Sequence, residues 1–396
     1  MSFDDFFHLE SLNKEYETVN IITTEEFLRR EGGQLHLLNT NDRATLPENR
    51  TNWDTVDVYP YWNYLESVGY IPANWDPNTC IATFPSTIGA KNNLHLIDAM
   101  DIIKFQKDGR LRPTHFEYQG NPVPVNAPMI ERLREVSAGR FDLCIYNEEM
   151  QRAPVIHFSS NRIRLLAQFY SFVFFEDWRQ ATWANRLVRD HLRYNDEIMC
   201  AASRVIESLR QRSYSRFNSR GLYHSLHIRR NDFQGQFKSS EASIEDIITS
   251  LSNKIEQNST IFVASDETNQ RFFAPLKEKY HVYFLNDFEN ILEGINPNYN
   301  GMIEQLIAAR GEVFFGTFFS TFSAYIFRLR GYYYSRADQT APSDGKLPNS
   351  FYVSPREHNE YTMYKAVQQP FYSREFPVSW RDINRGIGEM AGWRGW

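Results

Sequence analysis

The chain predicts an α/β protein of two domains, from its length, its composition and one recurring rhythm. At 396 residues it suits two domains better than one. Hydrophobic residues make up 42% and charged residues 23%, which describes a folded globular chain and excludes a disordered one. From residue 220 onward, short buried-strand runs alternate with helical patterns. That alternation means a parallel sheet with helices on both faces.

In the first part, Val19 to Ile22 reads as a strand and Thr23 to Arg30 as a helix, capped by Thr23 or Thr24 with acids in its first turn. Further strands are expected at Cys80 to Phe84, Asp142 to Tyr146 and Val155 to Phe158. Pro113 to Pro128 is punctuated as loop. Arg162 to Phe175 carries a helical face. A second stripe, Trp183, Leu187, His191, Tyr194 and Ile198, continues along another helix and reads mainly as core, His191 included. Gln211 to Arg220 lacks apolar periodicity and is the candidate linker, dividing the chain into 1–210 and 221–396. Beyond it come strand Leu222 to Ile228, helix Ser243 to Gln257 with Ser240 or Ser243 as cap, and strand Ile261 to Ala264. Helix Glu267 to Lys279, strand Val282 to Leu285, helix Met302 to Arg310, strand Val313 to Phe315 and helix Phe322 to Leu329 follow, with a short helix at Ser379 to Asn384.

Composition closes off several classes. A net charge of -6 argues against general nucleic-acid binding, so any anion site is local. No apolar run is long enough to span a bilayer. Cys80, Cys144 and Cys200 show no metal or redox spacing, and buried thiols are the default reading. The start has no signal-peptide pattern, yet Asn49-Arg-Thr51 and Asn258-Ser-Thr260 fit the glycosylation triplet. His224 and His227 lie three apart on a strand and face opposite ways, a poor metal pair. No nucleophile elbow, Walker loop or Asp-x-Asp is present, and Gly386-Ile-Gly-Glu-Met-Ala391 has no βαβ unit after it.

The chemistry gathers at strand ends. The strand to Ile228 is followed at once by Arg229, Arg230 and Asp232, and guanidinium forks suit phosphate oxygens. Asp266 follows the next strand; taken singly it reads as a helix cap. Ser320, Thr321 and Ser323 stand where a helix begins, a natural place for phosphate. In a parallel sheet these ends share one edge. A cationic fork, a carboxylate and a hydroxyl-bearing helix start there describe a nucleotide diphosphate pocket.

These segments resemble a known family. His227-Ile-Arg-Arg-Asn-Asp232 is similar to the His-x-Arg-Arg-x-Asp signature of the GDP-fucose protein O-fucosyltransferases and their α1,6-fucosyltransferase relatives. The similarity extends through Phe262 to Glu267, Gly301 to Arg310 and Gly316 to Ile326, with looser likeness at Phe3 to Phe7 and Phe174 to Trp178. The resemblance implies a GT-B fold of two Rossmann-like domains facing across a cleft. It also implies inverting, metal-independent transfer of fucose from GDP-fucose to a protein or glycan hydroxyl, with no cofactor besides that donor. Carried over, Arg229 is the catalytic residue, holding the β-phosphate and stabilising departing GDP. His227 and Asp266 contact the nucleoside end; Ser320, Thr321 and Phe322 contact the diphosphate; Arg230 and Asp232 support the loop. Family members open on a Gly-rich strand-turn whose Asn, and sometimes Glu, reaches sugar and acceptor. Met1 falls after that point, so the segment that could hold a general base is expected to be missing. The chain is then a trimmed version or a GDP-sugar-binding module with impaired transfer. A transferase using another nucleotide sugar is the remaining alternative. Location is expected to be secretory if a leader is missing, otherwise cytoplasmic.

Overall fold

The computed structural model describes residues 5–15, 80–87, 93–106, 123–137, 140–153, 173–217, 220–336 and 347–353, together with 21, 22, 26, 75, 156, 380 and 383. The chain divides into two compact units, Met1–Asp108 with Arg140–Asn195, and Gly109–Gly139 with Asp196–Trp396. Among the described residues no helix is long and apolar enough to cross a membrane.

The described part of the first unit is built on a parallel sheet of order β2-β1-β3, with β1 at Cys80–Phe84, β2 at Asp142–Ile145 and β3 at Val173–Phe175. Helices α1 (Leu9–Glu15), α2 (Leu94–Gln106), α4 (Glu148–Arg152) and α5 (Trp178–His191) belong to this unit; α3 (Met129–Ser137) belongs to the other. Asn147 and Asp177 cap α4 and α5, each accepting a backbone N–H with its side chain. Two expectations are corrected here. Cys80 and Cys144 are not thiols but a disulfide joining β1 to β2, while Cys200 is free and exposed. The parallel register sets Cys144 opposite Ala82, two residues along from Cys80, and the Cα atoms lie 5.6 Å apart, within reach of a bridge. The stripe from Trp183 to Ile198 is not one helix: Tyr194 lies between α5 and α6 (Asp196–Phe217), in a bridge to Phe7.

Helix α6 also overturns the linker. Residues 211–217 are its last turns, because Arg212 lies over the rings of Tyr283 and Phe288 and the Ser213 hydroxyl donates to the carbonyl of Leu222. The expected strands Val19–Ile22 and Val155–Phe158, helix Thr23–Arg30 and the closing helix at 379–384 fall wholly or mostly outside the described residues. So does 162–172 of the expected helix ending at Phe175, whose last three residues are strand β3.

The second unit carries the alternation read from sequence. Strands β4 (His224–Ile228), β5 (Thr260–Ser265), β6 (His281–Tyr283), β7 (Phe314–Thr317) and β8 (Ser350–Val353) form a parallel sheet of order β6-β5-β4-β7-β8. The chain winds outward from β4 to one side, then returns to start again at β7 on the other. The order therefore reverses between β4 and β7, the doubly wound pattern. Leu226, Ile228, Ile261 and Val263 turn to one face, packed in a core with Ile247 and Leu251 of α8 (Ile244–Ser252) and Leu276 of α9 (Ala274–Lys279). Ser243 caps α8 in a reciprocal capping box with Asp246. On the other face, Ala308 of α10 (Asn300–Ala309), Phe314, Trp380, and Ile326 and Phe327 of α11 (Thr321–Arg336) form a second core. The expected helix Glu267–Lys279 is a 3-10 turn, Gln270–Phe273, running into the shorter α9. Strand β8 has no counterpart among the strands expected from sequence.

Candidate functional site

The carboxyl ends of β4 and β7 flank the point where the sheet order reverses, and one hydroxyl joins them. Thr317 donates to the His227 carbonyl at 2.9 Å and accepts the Arg229 backbone N–H at 2.9 Å. This fixes the path of the chain where it leaves β4 and enters the charged loop. Sequence reasoning passed over Thr317, since a buried strand-end threonine carries no signal beyond its β-propensity.

Arg229 leaves β4 on that path, and its guanidinium is held at both ends. Nη1 donates to Asp266 Oδ2 at 2.8 Å and Nη2 to Asp232 Oδ1 at 2.9 Å. The pairing with Asp266 follows from register, because Ile228 lies opposite Ser265 and the next residues on each strand meet. The other Asp266 oxygen accepts the Arg230 backbone N–H at 2.7 Å, and its carbonyl accepts from the Asn231 carboxamide. Asp266 is thus not a helix cap; Asn269 takes that place for the 3-10 turn. Arg229 and Asp266 are 35% and 19% exposed in their side chains and Asp232 71%, so the pair with Asp232 is the more open to water.

Arg230 takes a different course. Its guanidinium bonds Glu267 at 2.8 Å, lies 3.8 Å over the ring of Phe272 and reaches the Ala242 carbonyl. Glu267 is held below the ordinary carboxylate range, first by the Asn269 N–H and with help from Arg230. Asn231 opens the short helix α7 (Asn231–Gln236) with positive φ, a conformation asparagine tolerates better than most residues.

His227 stands on the opposite face of β4 from Ile228 and is buried. Its Nδ1 lies 2.7 Å from Ser323 Oγ, and its ring stacks on Phe322 with centroids 4.4 Å apart. Burial, with the Arg229 charge adding to it, pushes its pKa down to about 3, so the imidazole is neutral at physiological pH. The contact needs α11 close to β7, and Gly316 allows it: a Cβ there would meet Ser323 Oγ at 2.8 Å. Ser320 is buried at the N-cap position of α11, its carbonyl accepting the Ala324 N–H, and Thr321 is exposed at the first helical residue. Phe319, just before them, holds a positive φ of 66°, rare for an aromatic residue.

The structure therefore joins Arg229, Arg230, Asp232 and Asp266 in one network, and His227, Phe322 and Ser323 in a second. Thr317 links the two through the β4 backbone. Ser320 and Thr321 head the adjoining helix. A fixed guanidinium, backbone N–H groups at a helix start and a neutral buried imidazole can receive an anionic, ring-bearing ligand. Among the described residues no group of three or more His, Cys, Asp or Glu side chains could hold a metal ion.

A family model described as GDP-fucose protein O-fucosyltransferase matches residues 1–333. The chain belongs to the GDP-fucose protein O-fucosyltransferase family. The matched span includes every site residue above. Among solved structures, the chain is similar to POFUT1 in complex with GDP at 12% identity and a TM-score of 0.31, covering 89% of this chain and 84% of that one. It is similar to NodZ α-1,6-fucosyltransferase soaked with GDP-fucose at 15% identity and a TM-score of 0.26, covering 63% and 92%. No curated protein matches the chain by sequence.

The first unit of this O-fucosyltransferase-family chain has a polar cluster of its own. Glu176, following β3, accepts the Ser86 N–H and meets His95 Nε2, each at 2.8 Å. Burial pushes the Glu176 carboxyl up, but the Ser86 and His95 contacts outweigh it and hold the pKa below the ordinary value. Glu176 belongs to the stretch Phe174 to Trp178, which bears the looser likeness to the family.

Proposed function

We propose that this chain transfers fucose from GDP-fucose to a protein or glycan hydroxyl, with inversion and without a metal ion. Family membership supports the reaction class. The observation that carries the reading at residue level is the Arg229 guanidinium, set by two carboxylates beside the reversal point of the second sheet.

In this reading the donor's diphosphate lies against Arg229 and the start of α11. As the bond from fucose to the β-phosphate breaks, negative charge grows on the leaving GDP, and a guanidinium already in place stabilises it without reorganisation. The phosphate takes the place of the exposed Asp232 on Nη2. Asp266 keeps its hold on Nη1, since its second oxygen also anchors the Arg230 backbone. Asp266 thereby orients Arg229 beside its expected contact with guanine or ribose. His227, Phe322 and the hydroxyls of Ser320 and Thr321 form the remaining contacts to the nucleotide, with His227 acting as a neutral hydrogen-bonding group. Arg230 and Asp232 shape the loop.

Calorimetric titration with GDP, UDP and ADP tests the nucleotide class before any acceptor is known. Selective GDP binding is expected; equal affinity for all of them removes the proposal. Free GDP released from GDP-fucose above the uncatalysed rate then separates an enzyme from a binding module.

A further inference from the structure

We propose that Asn258 is an N-glycosylation site, carrying an oligosaccharide at the edge of the second sheet away from the proposed donor site. Three independent observations meet there. The triplet Asn258-Ser259-Thr260 fits the acceptor pattern. Asn258 is exposed in the turn before β5, with φ at 64°; its backbone N–H is bonded to the Lys279 carbonyl, and no partner for its carboxamide is found among the described residues. The buried disulfide Cys80–Cys144 belongs to an oxidising compartment, where the glycosylating machinery also works.

Thr260 gives the sharpest argument. It is 1% exposed at the first position of β5, and its Oγ1 has no hydrogen-bond partner among the described residues. A buried hydroxyl without a partner costs stability, and valine would fill the same space without that cost. Among the described residues, the hydroxyl thus bonds nothing in the folded sheet. It does have a use before folding, when the third residue of the triplet must present a hydroxyl to the transferase.

The reaction uses a lipid-linked oligosaccharide diphosphate. The Asn258 amide nitrogen attacks the anomeric carbon, the C–O bond to the diphosphate breaks as the C–N bond forms, and the amide proton leaves with the lipid diphosphate. The geometry accommodates the product. Asn258 precedes the amino end of β5 and Asp266 follows its carboxyl end, so the strand's length of roughly 20 Å separates glycan from donor site.

The test uses the full chain secreted from a eukaryotic host behind a leader peptide. Peptide mapping before and after peptide N-glycosidase reads Asn258 separately from Asn49. The expected result is a glycan on Asn258 that leaves aspartate on release, retained in Thr260→Ser and lost in Thr260→Val. With the parent's glycan removed by peptide N-glycosidase, Thr260→Val should melt at the same or a higher temperature than the parent. Unmodified Asn258 in the secreted, folded protein overturns the site, as does a Thr260→Val variant that melts lower or fails to fold, because its hydroxyl then serves the fold.

Discussion

Replacing Arg229 by alanine separates the proposed chemistry from mere structure, because the two predict losses of different size. The substitution removes two charge-assisted hydrogen bonds, to Asp232 and Asp266. Asp232 is largely in water, so its pair contributes little to stability; exposed pairs are worth roughly 0–1 kcal/mol. Asp266 is more enclosed but keeps the Arg230 N–H, which limits the penalty of losing its partner. The total comes to about 1–2 kcal/mol, well short of the roughly 5–15 kcal/mol that holds a domain folded. Transition-state stabilisation is larger. Deleting one preorganised group aimed at developing charge costs about 2.7–4 kcal/mol, or a loss of about 10²–10³-fold in turnover. The assay is fucose transfer, followed as GDP release with acceptor, beside a thermal melt and a GDP titration on the same preparation. Arg229→Ala should melt within a few degrees of the parent, bind GDP more weakly and turn over at the reduced rate. Arg229→Lys keeps the charge but not the fork, cannot reach both carboxylates, and should fall between. Near-normal turnover in Arg229→Ala would refute the leaving-group role.

Other perturbations probe the frame around that residue. Gly316→Ala should push α11 from β7, cost about 1–3 kcal/mol of unfolding free energy in denaturant melts and break the His227–Ser323 contact, read as a shift of the imidazole NMR signals. His224 and His227 are held neutral by burial, with pKa values near about 4 and about 3 against 6.5 when unfolded. The unfolded chain takes up protons first, so their stabilisation is full above pH 6.5 and is lost as pH falls through that window. Urea melts should show a slope of up to about 1.4 kcal/mol per pH unit for each histidine. Glu304 has the opposite sign: burial raises its pKa to about 8, so its contribution is full below 4.5 and is lost as pH rises to 8. Glu304→Gln should flatten that alkaline decline in the same melts. Reducing the Cys80–Cys144 bridge, which closes a separation of 64 residues, should lower stability by about 2–4 kcal/mol, measured as a drop in Tm under reductant.

What the sequence made legible was the part governed by local rules. Strands β4, β5 and β7 are apolar, bounded by polar residues and separated by helical periodicity, and each appears within a few residues of its expected place. Ser240 and Ser243 are both candidate caps in the sequence, and the structure takes Ser243, whose Ser-x-x-Asp spacing closes the capping box. The misses have other causes, chiefly tertiary contact overriding local signal. Residues 211–217 look like linker but remain helical, because Arg212 finds two aromatic rings more than seventy positions away. Cys80 and Cys144 meet only once the register of β1 and β2 is known. β3 reads as the tail of a helix, since Val173-Phe-Phe is too short for periodicity to decide between helix and strand. The site itself was half visible. Arg229 and Asp266 could each be marked as a strand-end charge, but their pairing needed β4 and β5 to be neighbours.

That pairing decides how the site can respond to a diphosphate. A guanidinium already bonded to two carboxylates cannot attract an anion with its full charge, so binding is an exchange of partners. The carboxylates are unequal. Releasing the Asp266 carboxylate would also free the Arg230 N–H bonded to its other oxygen, loosening the turn that leaves β4. Releasing Asp232 costs one exposed bond on the short helix α7 and disturbs nothing in the sheet. The phosphate should therefore displace Asp232. It follows that Asp232→Asn, which removes the competing charge and leaves the loop's shape, should tighten GDP binding. Asp266→Asn should weaken it by letting the guanidinium swing. GDP titrations of the two variants give shifts of opposite sign if the exchange is right; weakening in both would mean that Asp232 holds Arg229 in place instead of yielding it.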